Sequence, residues 1–282
     1  MTSPAVLMKA WKIYPKKQLG QNFLADANMA AAIVAHGGVA ADDVVLEIGA
    51  GLGSLTLPLA RQALKVIAVE KDHRLVELLR TELTTAGLDN VSLLEQDILK
   101  LDIPSLAKTE KTDLLVAGNV PYNISSQILV QILKARSRIK KSILMFQKEL
   151  AQRITASPGS KSYGRLSVMV QYCAKVRVLT EVKAALFYPK PNIDSLVLDI
   201  DFDPDAGKQV RDETFFFDVI KAAFSKRRKT LRNSLTDFIP GFDGKVSAKA
   251  LEEAGIDPVR RAETLTVEEF IRLSNHIFGV YL

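Results

Sequence analysis

Asn119-Val120-Pro121-Tyr122 follows directly on the apolar run Leu114-Leu115-Val116-Ala117-Gly118. An amide, a proline and an aromatic at the mouth of a strand suit methylation of the exocyclic amino group of a nucleobase. That nitrogen is a poor nucleophile, because its lone pair is delocalised into the ring. Two acceptors, the Asn119 side chain and a backbone carbonyl of the turn, can grip its two hydrogens and turn the lone pair toward an incoming methyl group. Acceptors aimed at a nitrogen that becomes positive are the mirror image of an oxyanion hole. Tyr122 offers the face on which the base stacks, a contact typically worth ~1–3 kcal/mol. The tetrapeptide alone is equally compatible with a strand-end turn closed by an Asx-type hydrogen bond and a packed Tyr.

A second constellation lies upstream. Glu47-Ile48-Gly49-Ala50-Gly51-Leu52-Gly53 joins an apolar strand to a helix, and glycines there let the backbone turn tightly and approach a ligand. The dinucleotide fingerprint G-x-G-x-x-G needs glycine at 54 or, counted from Gly51, at 56, where Ser54 and Thr56 stand. The turn therefore suits S-adenosylmethionine, which has no pyrophosphate to cradle, better than a nicotinamide dinucleotide. Glu70 ends the next strand about twenty residues on, where a carboxylate accepts hydrogen bonds from both ribose hydroxyls of a nucleoside. Asp97, after the third strand, is placed to accept from an adenine amino group. Glu70, Asp97 and Asn119 each lie just beyond the C-terminal end of a strand, the edge that borders the ligand crevice of an open α/β sheet.

The elements that must position these groups are legible as alternating patterns. Val44–Ile48, Val66–Glu70, Val91–Leu94, Leu114–Gly118 and Ser142–Phe146 are short and apolar, as strands covered on both faces are. Helices are expected over 53–62, over 72–86 with Asp72 as N-cap, and over 124–135. This alternation predicts an α/β fold, a doubly wound Rossmann-like sheet of the class I methyltransferase type. Strands at 175–180 and 196–202 would finish the sheet in antiparallel fashion. Asp203-Pro204-Asp205-Ala206-Gly207 reads as a linker. Helical patterns at 214–224, 228–238, 247–254 and 267–278 follow it. The expected division is thus 1–203 for the first domain and 204–282 for a small all-α domain, with Phe215, Phe216, Phe217 and Phe224 in the latter's core.

Composition narrows the class. The chain has 282 residues, a single cysteine (Cys173), three histidines and a formal net charge of +6. No intramolecular disulfide is possible, which fits a reducing cytoplasm. The histidines have no cysteine partners at metal-ligand spacing, so no metal is expected. No apolar run reaches the length of a membrane span, and a soluble, cytoplasmic monomer is expected. The positive excess falls in two places: Lys9, Lys12, Lys16 and Lys17 before the first acid, Asp26, and nine basic residues between Lys134 and Arg165 against Glu149 alone. Such clusters point to a polyanion partner.

At this point the residues resemble a known family. Lys16-Lys17-Gln18-Leu19-Gly20-Gln21-Asn22-Phe23-Leu24, the Glu-Ile-Gly-x-Gly turn, Asn119–Tyr122 with Asn123-Ile124-Ser125, and Tyr163-Gly164-Arg165-Leu166-Ser167-Val168 are similar to the rRNA adenine N6,N6-dimethyltransferases. With Arg227-Arg228-Lys229-Thr230-Leu231-Arg232-Asn233-Ser234-Leu235, the likeness covers nearly the whole chain. The last two segments look like the bacterial small-subunit branch, the kasugamycin-sensitivity methyltransferases, more than the erythromycin-resistance enzymes of large-subunit rRNA. The resemblance implies two methyl groups on each of two adjacent adenines near the 3′ end of small-subunit rRNA, within an immature ribosomal subunit. It implies cofactor contacts from Asn22 and Leu24, from Gly49 and Gly51 at the amino-acid end, from Glu70 at the ribose and from Asp97 at the adenine. Asn119 would serve both cofactor and target, with Pro121 and Tyr122 completing the catalytic turn. Ala50 stands where the family usually has proline and Val120 where it has leucine, neither change altering the chemistry.

Direct methyl transfer is expected, with no covalent enzyme intermediate, because the protein's task is to hold nitrogen and methyl in near-attack geometry. The phosphates of rRNA would meet Lys16, Lys17, Arg136, Lys140, Lys141, Arg153, Arg165, Arg227, Arg228 and Lys229, with affinity falling steeply in salt. Competing readings are adenine methylation of DNA or of large-subunit rRNA, and an assembly checkpoint that binds immature small subunits with methylation secondary.

Overall fold

The computed structural model describes residues 3–226 and 228–282, except for the side chain of Lys17. In chain order the strands are β1 (Phe23–Leu24), β2 (Val44–Ile48), β3 (Lys65–Glu70), β4 (Val91–Glu95), β5 (Leu114–Asn119), β6 (Ile139–Gln147), β7 (Ala174–Val182), β8 (Phe187–Tyr188) and β9 (Ser195–Phe202). The helices are α1 (Pro4–Ala10), α2 (Ala27–His36), α3 (Thr56–Gln62), α4 (His73–Thr85), α5 (Ile103–Glu110), α6 (Ser125–Ala135), α7 (Lys148–Ile154), α8 (Arg165–Cys173), α9 (Glu213–Ala223), α10 (Leu231–Leu235), α11 (Gly244–Glu253) and α12 (Val267–Tyr281). They form two compact units, Met1–Ala151 with Arg177–Phe202, and Gln152–Val176 with Asp203–Leu282.

The first unit is organised by a seven-stranded sheet in the order β4-β3-β2-β5-β6-β9-β7. β4, β3, β2, β5 and β6 are paired in parallel, and β9 pairs antiparallel with β6. All five residues of β2 are buried, and all but Glu47 are apolar, as in a strand covered on both faces. The strand order reverses between β2 and β5, so the crevice of this α/β sheet opens between their C-terminal ends. Both chemical motifs of the sequence, the glycine turn after β2 and Asn119–Tyr122 after β5, are delivered to that switch point. Gly118 makes the approach possible, since a Cβ there would meet the Ile48 carbonyl oxygen at 2.5 Å.

Helix starts follow local side-chain chemistry. Asp26 accepts from the Met29 N–H at 2.7 Å and Asp102 from Ser105 at 3.0 Å, so carboxylates satisfy amides that a helix start leaves open. Asp72 caps α4 as the sequence predicts. The expected helix at 53–62 begins three residues later, at Thr56, because Gly53 is held at φ +83° in the turn.

The second unit is helical, with a core of Phe216, Phe270, Leu231 and Leu273. The expected division placed everything before residue 204 in the first domain, yet 152–176 belongs to the second unit. Aromatic packing accounts for this. Tyr172 lies 4.3 Å from Phe216 between ring centroids, and the buried Tyr163 hydroxyl donates to the Leu265 carbonyl at 2.9 Å. Cys173 ends α8, fully buried.

Candidate active site

A cavity of about 220 Å³ opens at the C-terminal ends of β2, β3, β4 and β5. Gly49, Gly51, Glu70, Asp97, Asn119, Pro121 and Tyr122 all line it, and so does Asn22 from the N-terminal segment. Gly49 and Gly51 have φ of +72° and +57°, a region that only glycine adopts without strain. The Gly49 and Ala50 amides both donate to the Val69 carbonyl, at 2.9 and 3.1 Å, which locks the turn onto the end of β3.

Glu70 closes this turn from the other side. Its Oε2 accepts from the Gly51 N–H at 3.0 Å, and its Oε1 from the Lys71 and Asp72 N–H groups, each at 2.8 Å. Burial raises the pKa of Glu70, and the three amides oppose that rise. A carboxylate has about four acceptor positions, so lone-pair capacity remains for a hydroxyl entering the cavity. Asp97 is used differently. Its Oδ1 accepts from the Leu99 N–H at 3.0 Å, and its Oδ2 pairs with the Lys71 ammonium at 2.8 Å, which holds its pKa below the ordinary value. Lys71 is thus a cavity residue that sequence reasoning missed, although it directly follows Glu70.

Asn119 is oriented from a distance in sequence. Its Nδ2 donates to the Asn22 carbonyl at 2.8 Å, so the amide nitrogen is committed and Oδ1 is the atom left to accept. Asn22 therefore contributes through its backbone, while its own side chain donates to the Gly20 carbonyl at 3.2 Å. Asn123 ties the same segment down, donating to the Gln18 carbonyl at 2.9 Å. Leu24 does not join the lining. It is buried in the apolar core, and its carbonyl accepts from the Ser54 hydroxyl at 2.6 Å. The reason is the pairing of β1 with β8: Leu24 sits opposite Phe187, and the cavity edge stops at Phe23.

Tyr122 is half-buried and its hydroxyl shares a 2.8 Å hydrogen bond with Ser195 Oγ. Burial raises the phenol pKa, and the Ser195 contact works against that rise. The ring is thereby fixed at the cavity mouth. Ser195 carried no sequence signal, since a serine at the start of a strand is unremarkable in composition. Beneath the site lies Glu47, whose carboxyl is fully buried and pushed up to about 8 by burial, with the Glu70 charge adding to the rise. Its Oε2 has no hydrogen-bond partner.

The expected RNA-binding residues are dispersed. Lys16 pairs with Asp72 at 3.1 Å beside the cavity lip. Arg136 opens the turn before β6, and Lys140 and Lys141 lie at the start of that strand, which is paired with the start of β5, so the three sit at the end of the sheet opposite Asn119. Lys140 is engaged by Asp43 at 2.8 Å, and Lys141 by Asp199 at 3.1 Å and the Gly37 carbonyl at 2.9 Å. These two charges are answered within the fold. Arg153, Arg165, Arg228 and Lys229 are exposed on the second unit. The Lys17 side chain and Arg227 lie outside the described residues. Among the described residues no group of His, Cys, Asp and Glu is arranged to hold a metal ion, and no helix is long and apolar enough to cross a membrane.

Comparison with known proteins decides the lineage. The family model for ribosomal RNA adenine dimethylase matches residues 14–278. The chain belongs to the ribosomal RNA adenine dimethylase family. Among similar dimethylases, the ribosomal RNA small subunit methyltransferase A of Desulforapulum autotrophicum is 51% identical over 281 residues, spanning 100% of this chain and 98% of that one. The protein of the same name from Bacillus mycoides is 42% identical over 265 residues, 92% of this chain and 90% of its own. Of solved structures, a dimethyladenosine transferase from Plasmodium falciparum superposes with a TM-score of 0.77 at 26% identity, covering 89% of this chain and 95% of that one. The 23S rRNA methyltransferase ErmE gives a TM-score of 0.67 at 25% identity, covering 91% and 99%.

S-adenosylmethionine is the cofactor of this dimethylase, and the residues present fit it. The positive-φ glycine turn admits a ligand against the backbone, Glu70 holds buried acceptor capacity for ribose hydroxyls, and Asp97 lines the same cavity. A purine amino group arriving at Asp97 would have to share or displace Lys71.

Proposed function

We propose that this protein transfers methyl groups from S-adenosylmethionine to the N6 amino groups of two adjacent adenines near the 3′ end of small-subunit (16S) rRNA. The products are N6,N6-dimethyladenosines formed late in ribosome biogenesis. The observation that carries the reading is the commitment of Asn119 Nδ2 to the Asn22 carbonyl, which leaves Oδ1 as an acceptor on the same cavity wall as Tyr122. Membership in the dimethylase family and 51% identity to a small-subunit enzyme support the choice of substrate. The remaining parts of the proposal are an immature small subunit as the bound particle, a monomeric protein and a cytoplasmic location.

When bound, S-adenosylmethionine supplies an electrophilic methyl group carried on a sulfonium. The rest is positioning by the chain. Glu70 and Asp97 would hold the two ends of the nucleoside, and the Gly49–Gly51 turn would admit its amino-acid end. Asn119 Oδ1 would accept one hydrogen of the adenine amino group, and a carbonyl of the Asn119–Tyr122 turn the other. Accepting both hydrogens rotates the nitrogen lone pair out of conjugation and stabilises the positive charge it acquires. Tyr122, braced by Ser195, would stack on the extruded base and offset part of the few kcal/mol lost on unstacking. The methylated nitrogen is strongly acidic, so water takes its proton and no side-chain base is needed.

The test is transfer of labelled methyl from S-adenosylmethionine to immature small subunits, with digestion to nucleosides. Two dimethyladenosines per subunit with the wild-type chain, and none with Asn119→Ala at unchanged subunit affinity, is the expected result. Wild-type turnover in Asn119→Ala would refute the acceptor mechanism. Label in large-subunit rRNA or DNA would refute the substrate, and tight subunit binding without incorporation would favour an assembly factor.

A further inference from the structure

We infer that the N-terminal segment carries a stacking platform for a single-stranded stretch of RNA, built on Trp11 and Tyr14 and flanked by Lys9 and Lys12. The inference rests on the proposed action on RNA and adds a binding surface to it. Among the described residues, three aromatic side chains are exposed, and two of them are Trp11 (42% exposed) and Tyr14 (77%). The third, Tyr188, sits opposite Phe23, at the lip of the cavity. Single exposed apolar residues are ordinary. Here two rings fall within four residues of each other, with exposed lysines between and before them, and no acidic residue precedes Asp26. Aromatic faces interleaved with cations are what a single strand of nucleic acid binds: bases stack on the rings and phosphates meet the ammonium groups.

The platform is anchored rather than a loose tail. Leu7, Met8 and Ile13 are buried in one cluster with Phe23, Leu52, Leu75 and Leu78, so α1 docks by its apolar side. Its end is closed by Trp11 N–H to Leu7 carbonyl at 3.0 Å and Ile13 N–H to Met8 carbonyl at 2.9 Å. Lys12, at φ +54°, reverses the chain between Trp11 and Ile13. Burying Ile13 while exposing both aromatic neighbours spends apolar surface on solvent, which core packing does not require. The segment then runs without a break into the cavity wall. Lys16 donates its N–H to Gln21 Oε1 at 2.7 Å and pairs with Asp72, and Gln18 to Phe23 line the cavity. RNA held on Trp11 and Tyr14 therefore leads toward the target-base pocket. Residues 1–13 precede the part matched by the family model, so Trp11 lies outside that match.

Trp11 is the only tryptophan in the chain, so its emission reports on this surface alone. Titration of the full-length protein with single-stranded oligoadenylate should quench that emission, and Tyr14→Ala should shift the titration to higher RNA concentration. In methyl transfer to immature subunits, Trp11→Ala should raise KM for RNA about tenfold. Its kcat, S-adenosylmethionine affinity and melting temperature should stay at wild-type values, and Trp11→Phe should restore KM. Unchanged Trp11 emission at saturating RNA, or wild-type KM in a variant carrying both Trp11→Ala and Tyr14→Ala, would overturn the inference. A blue shift with anionic lipid vesicles and none with RNA would also overturn it, in favour of a membrane surface. Quenching by RNA in a protein that methylates no rRNA would leave the platform standing and remove the proposed substrate instead.

Discussion

Replacing Gly118 with alanine tests whether the two halves of the site depend on one close backbone contact. The added Cβ would lie 2.5 Å from the Ile48 carbonyl oxygen and 3.2 Å from both the Ile48 nitrogen and its Cβ. These atoms belong to β2 or hang directly from it, so no rotamer change relieves the clash. Restoring an ordinary 3.4 Å contact requires β2 and β5 to part by about 0.9 Å. Overpacking of this kind costs ~1–3 kcal/mol of stability. The functional cost should be larger, because the glycine turn follows Ile48 and Asn119 follows Gly118, so the separation opens the cofactor wall from the target wall. A displacement near 1 Å at a reacting centre costs on the order of 10²-fold in rate. Urea unfolding and single-turnover methyl transfer on the same preparation would measure both effects. Gly244→Ala serves as a control, since its Cβ meets nothing closer than 3.9 Å. A Gly118→Ala protein with wild-type stability and turnover would refute the reasoning.

Glu47 should make stability depend on pH. Its folded pKa of about 8 exceeds the ordinary 4.5, so the folded state stays protonated where the unfolded state ionises. The contribution of this one group to stability is complete below 4.5 and is lost progressively as the pH rises toward about 8. Glu47→Gln should remove this slope, which urea titrations at pH 5 and pH 7 would show; parallel curves for both proteins would contradict it. Tyr122→Phe loses the 2.8 Å bond to Ser195 and should weaken RNA methylation by about 1 kcal/mol, with Ser195→Ala giving the same loss. Tyr122→Ala should cost ~1–3 kcal/mol through lost stacking, read as kcat/KM on immature subunits. Equal values for Tyr122→Phe and Tyr122→Ala would show that the ring face contributes nothing.

Strand by strand, the apolar runs predicted the sheet to within a few residues, most closely in β2, β3 and β5, because buried strands can carry little else. β6 was the exception. It extends back to Ile139 through Lys140 and Lys141, whose ammonium groups are carried to acceptors on other elements and therefore read as surface residues. Helices α1, α2, α5, α7 and α8 carried weaker signals, being short or flanked by residues that also suit loops. The basic cluster between Lys134 and Arg165 read as one patch. The structure divides it, with Arg136, Lys140 and Lys141 in the first unit and Arg153 and Arg165 in the second.

What the sequence determined by itself was the chemistry: the types and spacing of Gly49, Gly51, Glu70, Asp97 and Asn119–Tyr122. Each ends or follows a strand, and parallel strands in an open sheet bring such residues to one edge whatever the loops do between them. What only the tertiary structure decided were the contacts across long separations. These are the Asn22 carbonyl on Asn119, Ser195 on Tyr122, Lys71 on Asp97, and Tyr172 on the phenylalanines of the second unit. The reason is physical. A strand and its following turn are set by local backbone and burial preferences, whereas a hydrogen bond between residues 97 positions apart exists only once the whole sheet has closed around it.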